Sequence, residues 1–110
     1  MSDQNNDITV EELNRRLEGG EELFILDVRE EFEYDLVNLE GTLIPLGQLR
    51  DRLDELESHK NDEFVVHCRS GARSADAVAL LKSNGFANPR NLKGGIIDWA
   101  KKIDPSFPIY

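Results

Sequence analysis

The only cysteine of this chain, Cys68, ends the apolar run Phe64-Val65-Val66 and opens the stretch Cys68-Arg69-Ser70-Gly71-Ala72-Arg73-Ser74. From about Arg73, a segment rich in alanine and leucine (Ala75, Val78, Ala79, Leu81) reads as a helix. A thiol in that position sits at a strand's C-terminal end, under loop N–H groups and the positive end of a helix dipole. The chemistry is that of a thiolate nucleophile with an anion held against it. A free cysteine, with a pKa of about 8.5, is only a few per cent ionised at neutral pH. Lowering that value by roughly two units takes about 2.7 kcal/mol. A helix terminus supplies about 0.3–1 kcal/mol, and a hydrogen bond to a charged group about 1.5–3. One or two loop amides and the dipole therefore suffice. Cysteine is commonly a small buried hydrophobe, but Arg-Ser-Gly-Ala-Arg-Ser is a poor core sequence, and Gly71 suits a tight loop with converging amides.

Bulk composition narrows the partners. A chain of 110 residues with 39% apolar and 32% charged residues is an ordinary globular domain, large enough for one core without staples. Its net charge of −9 argues against nucleic acid and anionic membrane surfaces. Arg69 and Arg73, two of 13 basic residues, nevertheless bracket the thiol, as an anionic substrate requires. One cysteine excludes an internal disulfide, a CxxC pair and a resolving thiol, so whatever Cys68 acquires must leave to an external acceptor. The polar N-terminus carries no apolar run, and the expected location is the cytoplasm.

The elements that must position the thiol follow from periodicity. Residues 1–7 read as a frayed tail and residues 8–110 as one domain. Thr9-Val10-Glu11-Glu12 has the form of a capping box, followed by Val10, Leu13 and Leu17 at helical spacing up to Gly19-Gly20. Leu23-Phe24-Ile25-Leu26 and Phe64-Val65-Val66 read as strands buried on both faces. Leu43-Ile44 and Arg90-Asn91-Leu92 are short strands, and Leu46, Leu49, Leu53 and Leu56 mark one face of a helix. A last helix after Gly94-Gly95 places Ile96 and Trp99 in the core. Alternating short strands and helices predict an α/β fold with a parallel sheet covered on both faces. Ligands bind at the carboxyl ends of such strands, where both Cys68 and Asp27 lie. Asp27 is read as a carboxylate that anchors an arginine of the active loop, and Arg29 with Glu30 as a structural ion pair. His67, adjacent to the thiol in an extended strand, points to the opposite face and reads as core. His59 has no evident partner.

Four residues separate Cys68 from Arg73, one fewer than cysteine-based phosphatases place between nucleophile and closing arginine. With that loop, the blocks Leu26-Asp27-Val28-Arg29 and Leu92-Lys93-Gly94-Gly95-Ile96-Ile97-Asp98-Trp99 occur in the order seen in rhodaneses. The chain resembles a single-domain rhodanese, of the thiosulfate sulfurtransferase family, over about residues 8 to 104. The segment from Asn38 to Leu46 is more similar to rhodanese modules of enzymes that adenylate ubiquitin-like sulfur carriers. The resemblance implies a three-layer α/β/α fold with a five-stranded parallel sheet and no cofactor. It implies that Cys68 takes a sulfane sulfur from thiosulfate or a persulfide donor and passes it to cyanide, a thiol or a sulfur-carrier protein. In this comparison Arg69, Ser70, Gly71, Ala72, Arg73 and Ser74 bind the donor, with Arg73 orienting it and Arg69 steering it from the rim. Ser70 and Ser74 fit equally as hydrogen-bond donors and as ordinary loop and helix-start residues. The alternatives are a phosphatase or arsenate reductase of related fold, or a non-catalytic binding module. A complete core of this size is read as a monomer.

Overall fold

The computed structural model describes residues 6–110. In chain order the elements are β1 (Asp7–Ile8), α1 (Val10–Glu18), β2 (Ile25–Asp27), α2 (Glu31–Leu36), β3 (Thr42–Leu43) and α3 (Leu46–Leu49). A 3-10 segment (Arg50–His59) leads to β4 (Glu63–His67), α4 (Ala72–Ser83), β5 (Asn88–Leu92) and α5 (Gly95–Lys102). The five strands form one parallel sheet in the order β1-β5-β4-β2-β3, with helices on both faces, giving the expected three-layer α/β/α architecture. No helix among the described residues is long and apolar enough to cross a membrane.

Strand parity divides the core in two. Phe64, Val66 and Cys68 point to the face that Leu49, Leu56, Ala77 and Leu81 cover, from α3, the 3-10 segment and α4. Val65 points to the other face, onto Ile8, Leu13, Leu92 and Trp99, where α1 and α5 pack. Burial of both sets explains why β4 reads as an unbroken apolar run. Ile96 and Trp99 lie in the core as expected, and α1 is capped by Thr9, whose hydroxyl accepts the Glu12 N–H at 3.1 Å.

Several boundaries differ from the sequence reading. Residues 1–5 of the expected tail lie outside the described residues. Its last two are taken into structure: Asn91 N–H donates to Asn6 C=O at 2.7 Å, and Asp7 pairs with Asn91 in the sheet. The strand read at Leu23–Leu26 begins at Ile25, where pairing with Val65 starts. The helix carrying Leu46, Leu49, Leu53 and Leu56 turns to 3-10 at Arg50 and is kinked at Arg52 (φ −124°, ψ 18°). Three residues per turn eclipse Leu53 and Leu56, so the apolar face survives the change of helix type. His59 does have partners: its ring stacks on Phe24 at 3.9 Å and its Nδ1 lies 3.5 Å from Asp62.

Candidate active site

β4 delivers Cys68 into a loop that reverses within three residues to start α4. Gly71 makes the reversal possible, because its φ of +113° is a conformation that L side chains rarely adopt. The turn aims backbone donors at the sulfur. Gly71 N–H donates to Cys68 Sγ at 3.1 Å and Ser74 N–H at 3.4 Å, while Ser74 Oγ lies 3.3 Å away. Burial pushes the thiol pKa up. Hydrogen bonds to the sulfur, from the Ser74 hydroxyl where it turns that way and from the N–H groups of Ser74, Gly71 and Ser70, outweigh that, and the net displacement is downward. The thiol is 1% exposed, the floor of a loop rather than a surface group.

The outward-facing carbonyls of the same loop are held from behind. Ile96 N–H donates to Cys68 C=O and Ile97 N–H to Arg69 C=O, both at 3.1 Å. The first turn of α5 thus donates to the loop's carbonyl side, which leaves the loop's N–H side to face the sulfur. Gly95 permits this approach: a Cβ there would overlap the carbonyl of Arg69 and come within 2.8 Å of Cys68 O. Gly95 is therefore part of the loop's construction.

The expected site residues fall into distinct positions. Ser74 is fully buried beside the thiol, whereas Ser70 is exposed at the crest and Ala72 is an exposed residue opening α4. Arg73 does not stand free. Its Nη1 and Nη2 bind Glu33 Oε1 and Oε2 at 2.7 and 2.9 Å, a bidentate pair. Arg69 is half-buried, and its guanidinium lies 5.0 Å from the centre of the Tyr110 ring. Among the described residues no carboxylate pairs with Arg69, so its charge stays available to an anion.

Asp27 departs from its expected role. It shares strand parity with His67, with which it is in register, and so faces away from Cys68. Its carboxylate binds Arg29 through Nε at 2.9 Å and Nη2 at 2.7 Å, a fully buried pair, instead of a loop arginine or leaving Arg29 to Glu30. Glu30 caps α2 reciprocally with Glu33. Support for the loop passes along a chain: Arg29 Nη1 donates to Tyr110 Oη at 2.9 Å, and that hydroxyl donates to Glu33 at 2.8 Å. Glu33 then holds Arg73. His67 is fully buried, as read, with Nδ1 3.3 Å from Cys68 C=O and Nε2 3.5 Å from Asp27. Burial, resisted by Asp27, moves its pKa down.

Glu33, Asn91 and Tyr110 had no signal in the sequence, because their partners Arg73, Ser74 and Glu33 lie 40, 17 and 77 residues away. A separate cavity of about 360 Å³ opens beside Glu30, Glu31, Leu43, Pro45, Gln48 and Arg52. Two carboxylates against one arginine make that cavity unsuitable for an anionic donor.

The bidentate ion pair has a measurable consequence. Arg73, against the cost of burial and aided by backbone and Tyr110 contacts, holds the Glu33 carboxyl well below the usual range, at about 2. Arg16 and Arg90 do the same for Glu63, also to about 2. A carboxylate whose folded pKa is depressed stabilises the fold above its unfolded pKa and loses that contribution as pH falls towards the folded value. Each is worth on the order of 2–3 kcal/mol at neutral pH. The urea midpoint is expected to fall steeply between about pH 4.5 and 2, and less so in Glu33→Gln. A midpoint flat from pH 7 to pH 3 would contradict the assignment.

Comparison with known proteins gives a consistent picture. Residues 9–102 match the family model described as a rhodanese-like domain. The chain is 36% identical over 104 residues to a probable adenylyltransferase/sulfurtransferase, MoeZ, of Mycobacterium tuberculosis. That alignment covers 94% of this chain and spans 26% of the length of the relative. Among solved structures it is similar to a rhodanese-like domain protein of Staphylococcus aureus, with TM-score 0.77 and 32% identity, covering 86% of this chain and 90% of the other. It is also similar to the human single-domain sulfurtransferase TSTD1, with TM-score 0.77 and 27% identity, covering 88% and 96%.

Proposed function

Because the chain belongs to the rhodanese-like domain family and its relatives support a general role in sulfur transfer, we propose that it is a sulfurtransferase working through a Cys68 persulfide. The observation that carries this reading is the cradle of N–H groups directed at a lone, buried thiol, with the Ser74 hydroxyl beside it. The Cys68 thiolate attacks the outer sulfur of thiosulfate; the S–S bond breaks and its electron pair leaves with sulfite. The persulfide's terminal sulfur carries the charge, and the loop N–H groups supply donors for it as an oxyanion hole would. An acceptor nucleophile (cyanide, a thiol or a sulfur-carrier protein) then attacks that sulfur and Cys68 departs as thiolate. A persulfide on another protein is the alternative donor. No general base is required, and the positions of His67 and Asp27 agree with that.

Arg69 and Arg73 divide the labour. Arg73 braces the loop through Glu33, and Arg69 receives the anionic donor. Arg69→Ala is expected to raise the KM for thiosulfate about tenfold with kcat little changed. Equal losses in kcat and kcat/KM would reassign Arg69 to the transition state. The phosphatase reading loses support because the arginine that would grip a phosphate is already engaged by a carboxylate. Intact-protein mass spectrometry after thiosulfate tests the proposal. A gain of one sulfur atom, discharged by cyanide, is expected; a folded protein with no adduct from thiosulfate or from a protein persulfide would overturn it.

A further inference from the structure

Beside the sulfur, a single hydroxyl proton faces two side-chain acceptors once Cys68 is ionised. Ser74 Oγ, with its single proton, lies 3.3 Å from Cys68 Sγ and 2.5 Å from Asn91 Oδ1. The orientation of the Asn91 amide is set at its other end, where Nδ2 donates to Gly71 C=O at 3.3 Å. A carbonyl only accepts, so the amide oxygen must face Ser74. When Cys68 is a thiol the chain is complete: S–H donates to Ser74 Oγ, and O–H donates to Asn91 Oδ1. When Cys68 is a thiolate, one proton serves two acceptors. If the hydroxyl stays with Asn91, its lone pairs oppose the charged sulfur. If it turns to the sulfur, two oxygens face each other at 2.5 Å with no proton between them.

We propose that Asn91 is a positioning residue which sets how readily Cys68 ionises, by competing with the thiolate for the hydroxyl proton of Ser74. The inference rests on the persulfide reading for its importance to turnover, but not for its chemistry. Asn91 opposes ionisation, and the backbone N–H groups of Gly71 and Ser74 favour it. The balance keeps the resting thiol protonated more of the time than the cradle alone would. It also leaves an ionised sulfur less tightly satisfied, and so more nucleophilic. The charged groups near the loop are unchanged by substitution at Asn91. Arg73 acts on the sulfur from α4 while bound to Glu33, and Arg69 lies against Tyr110. Asp27 and His67 face the other side of the sheet, and Asp98 on α5 pairs with Lys102.

The test is the pH dependence of thiolate absorbance in the intact chain, for wild type, Asn91→Ala, Ser74→Ala and the double variant. Asn91→Ala is expected to lower the ionisation midpoint by about one pH unit, the size of one hydrogen bond returned to a charged sulfur. In the Ser74→Ala background the same substitution should have no effect. Gly71 C=O keeps its Ala75 N–H partner at 3.0 Å, so the loop retains its backbone closure. Ser74→Ala alone should move the midpoint by less than half as much, since Asn91 already holds most of the proton. An unchanged midpoint in Asn91→Ala, an equal fall in both backgrounds, or a rise of a full unit in Ser74→Ala would each overturn the proposal. The readout needs no sulfur donor. A wild-type protein that forms no persulfide while Asn91→Ala still lowers the midpoint would sink the sulfurtransferase reading and leave this one standing.

Discussion

Cys68→Ser is expected to lose sulfur transfer from thiosulfate to cyanide by at least about 10⁴-fold while remaining folded. The loss is large because the chain has one thiol and no second nucleophile to carry the sulfur. A serine hydroxyl in the same cradle stays protonated at neutral pH and cannot form the persulfide. Folding should survive, since the smaller side chain keeps the Gly71 and Ser74 N–H groups as partners and leaves no buried polar atom without one. Thermal unfolding within a few degrees of wild type, with no sulfur adduct by mass and no turnover, is the predicted combination. Residual transfer above a hundredth of the wild-type rate would place the acceptor sulfur elsewhere.

Gly95→Ala is expected to damage the loop from behind, without touching any atom of the cradle. At φ +62° an added Cβ meets the carbonyl of Arg69 and sits 2.8 Å from Cys68 O. Both obstacles are backbone, so relief requires the loop or the first turn of α5 to move. The hydrogen bonds from Ile96 and Ile97 N–H to those carbonyls then lengthen or break. Strain and lost contacts together put the destabilisation at about 2–4 kcal/mol. Misplacing the cradle by a fraction of an ångström to an ångström puts the loss of rate in the folded fraction at about 10²-fold. Gly94→Ala is the control. Its Cβ at φ +80° would meet Asp98 and not the loop: Cγ and Oδ2 can swing away at the expense of the Lys102 contact, while Asp98 Cβ, 2.7 Å off, yields only with a shift inside α5. Gly94→Ala should therefore destabilise, yet keep most of the sulfur-transfer rate in the folded fraction. Equal kinetic damage from the two substitutions would mean that α5 as a whole, and not the close approach at Gly95, shapes the loop.

What could be read from the chain alone was whatever depends on near neighbours. The apolar run into Cys68, the glycine that lets the chain reverse and the helix that follows are local, and they place a polarised thiol at a strand end. Alternation of short strands with helices likewise specified the layers, because each element must bury its apolar face. Pairing across the fold was decided only by tertiary structure. Asp27 and Cys68 end adjacent strands, and proximity in sequence pattern suggested a shared site. Strand parity sends their side chains to opposite faces, and Asp27 reaches the loop indirectly, through Arg29, Tyr110 and Glu33 and through His67. The carboxylate that holds Arg73 comes from α2, the oxygen that competes for the Ser74 proton from β5, and the ring under Arg69 from Tyr110. Charge and hydrogen-bonding capacity are visible in a sequence, but which donor meets which acceptor depends on distances that only the packed fold sets.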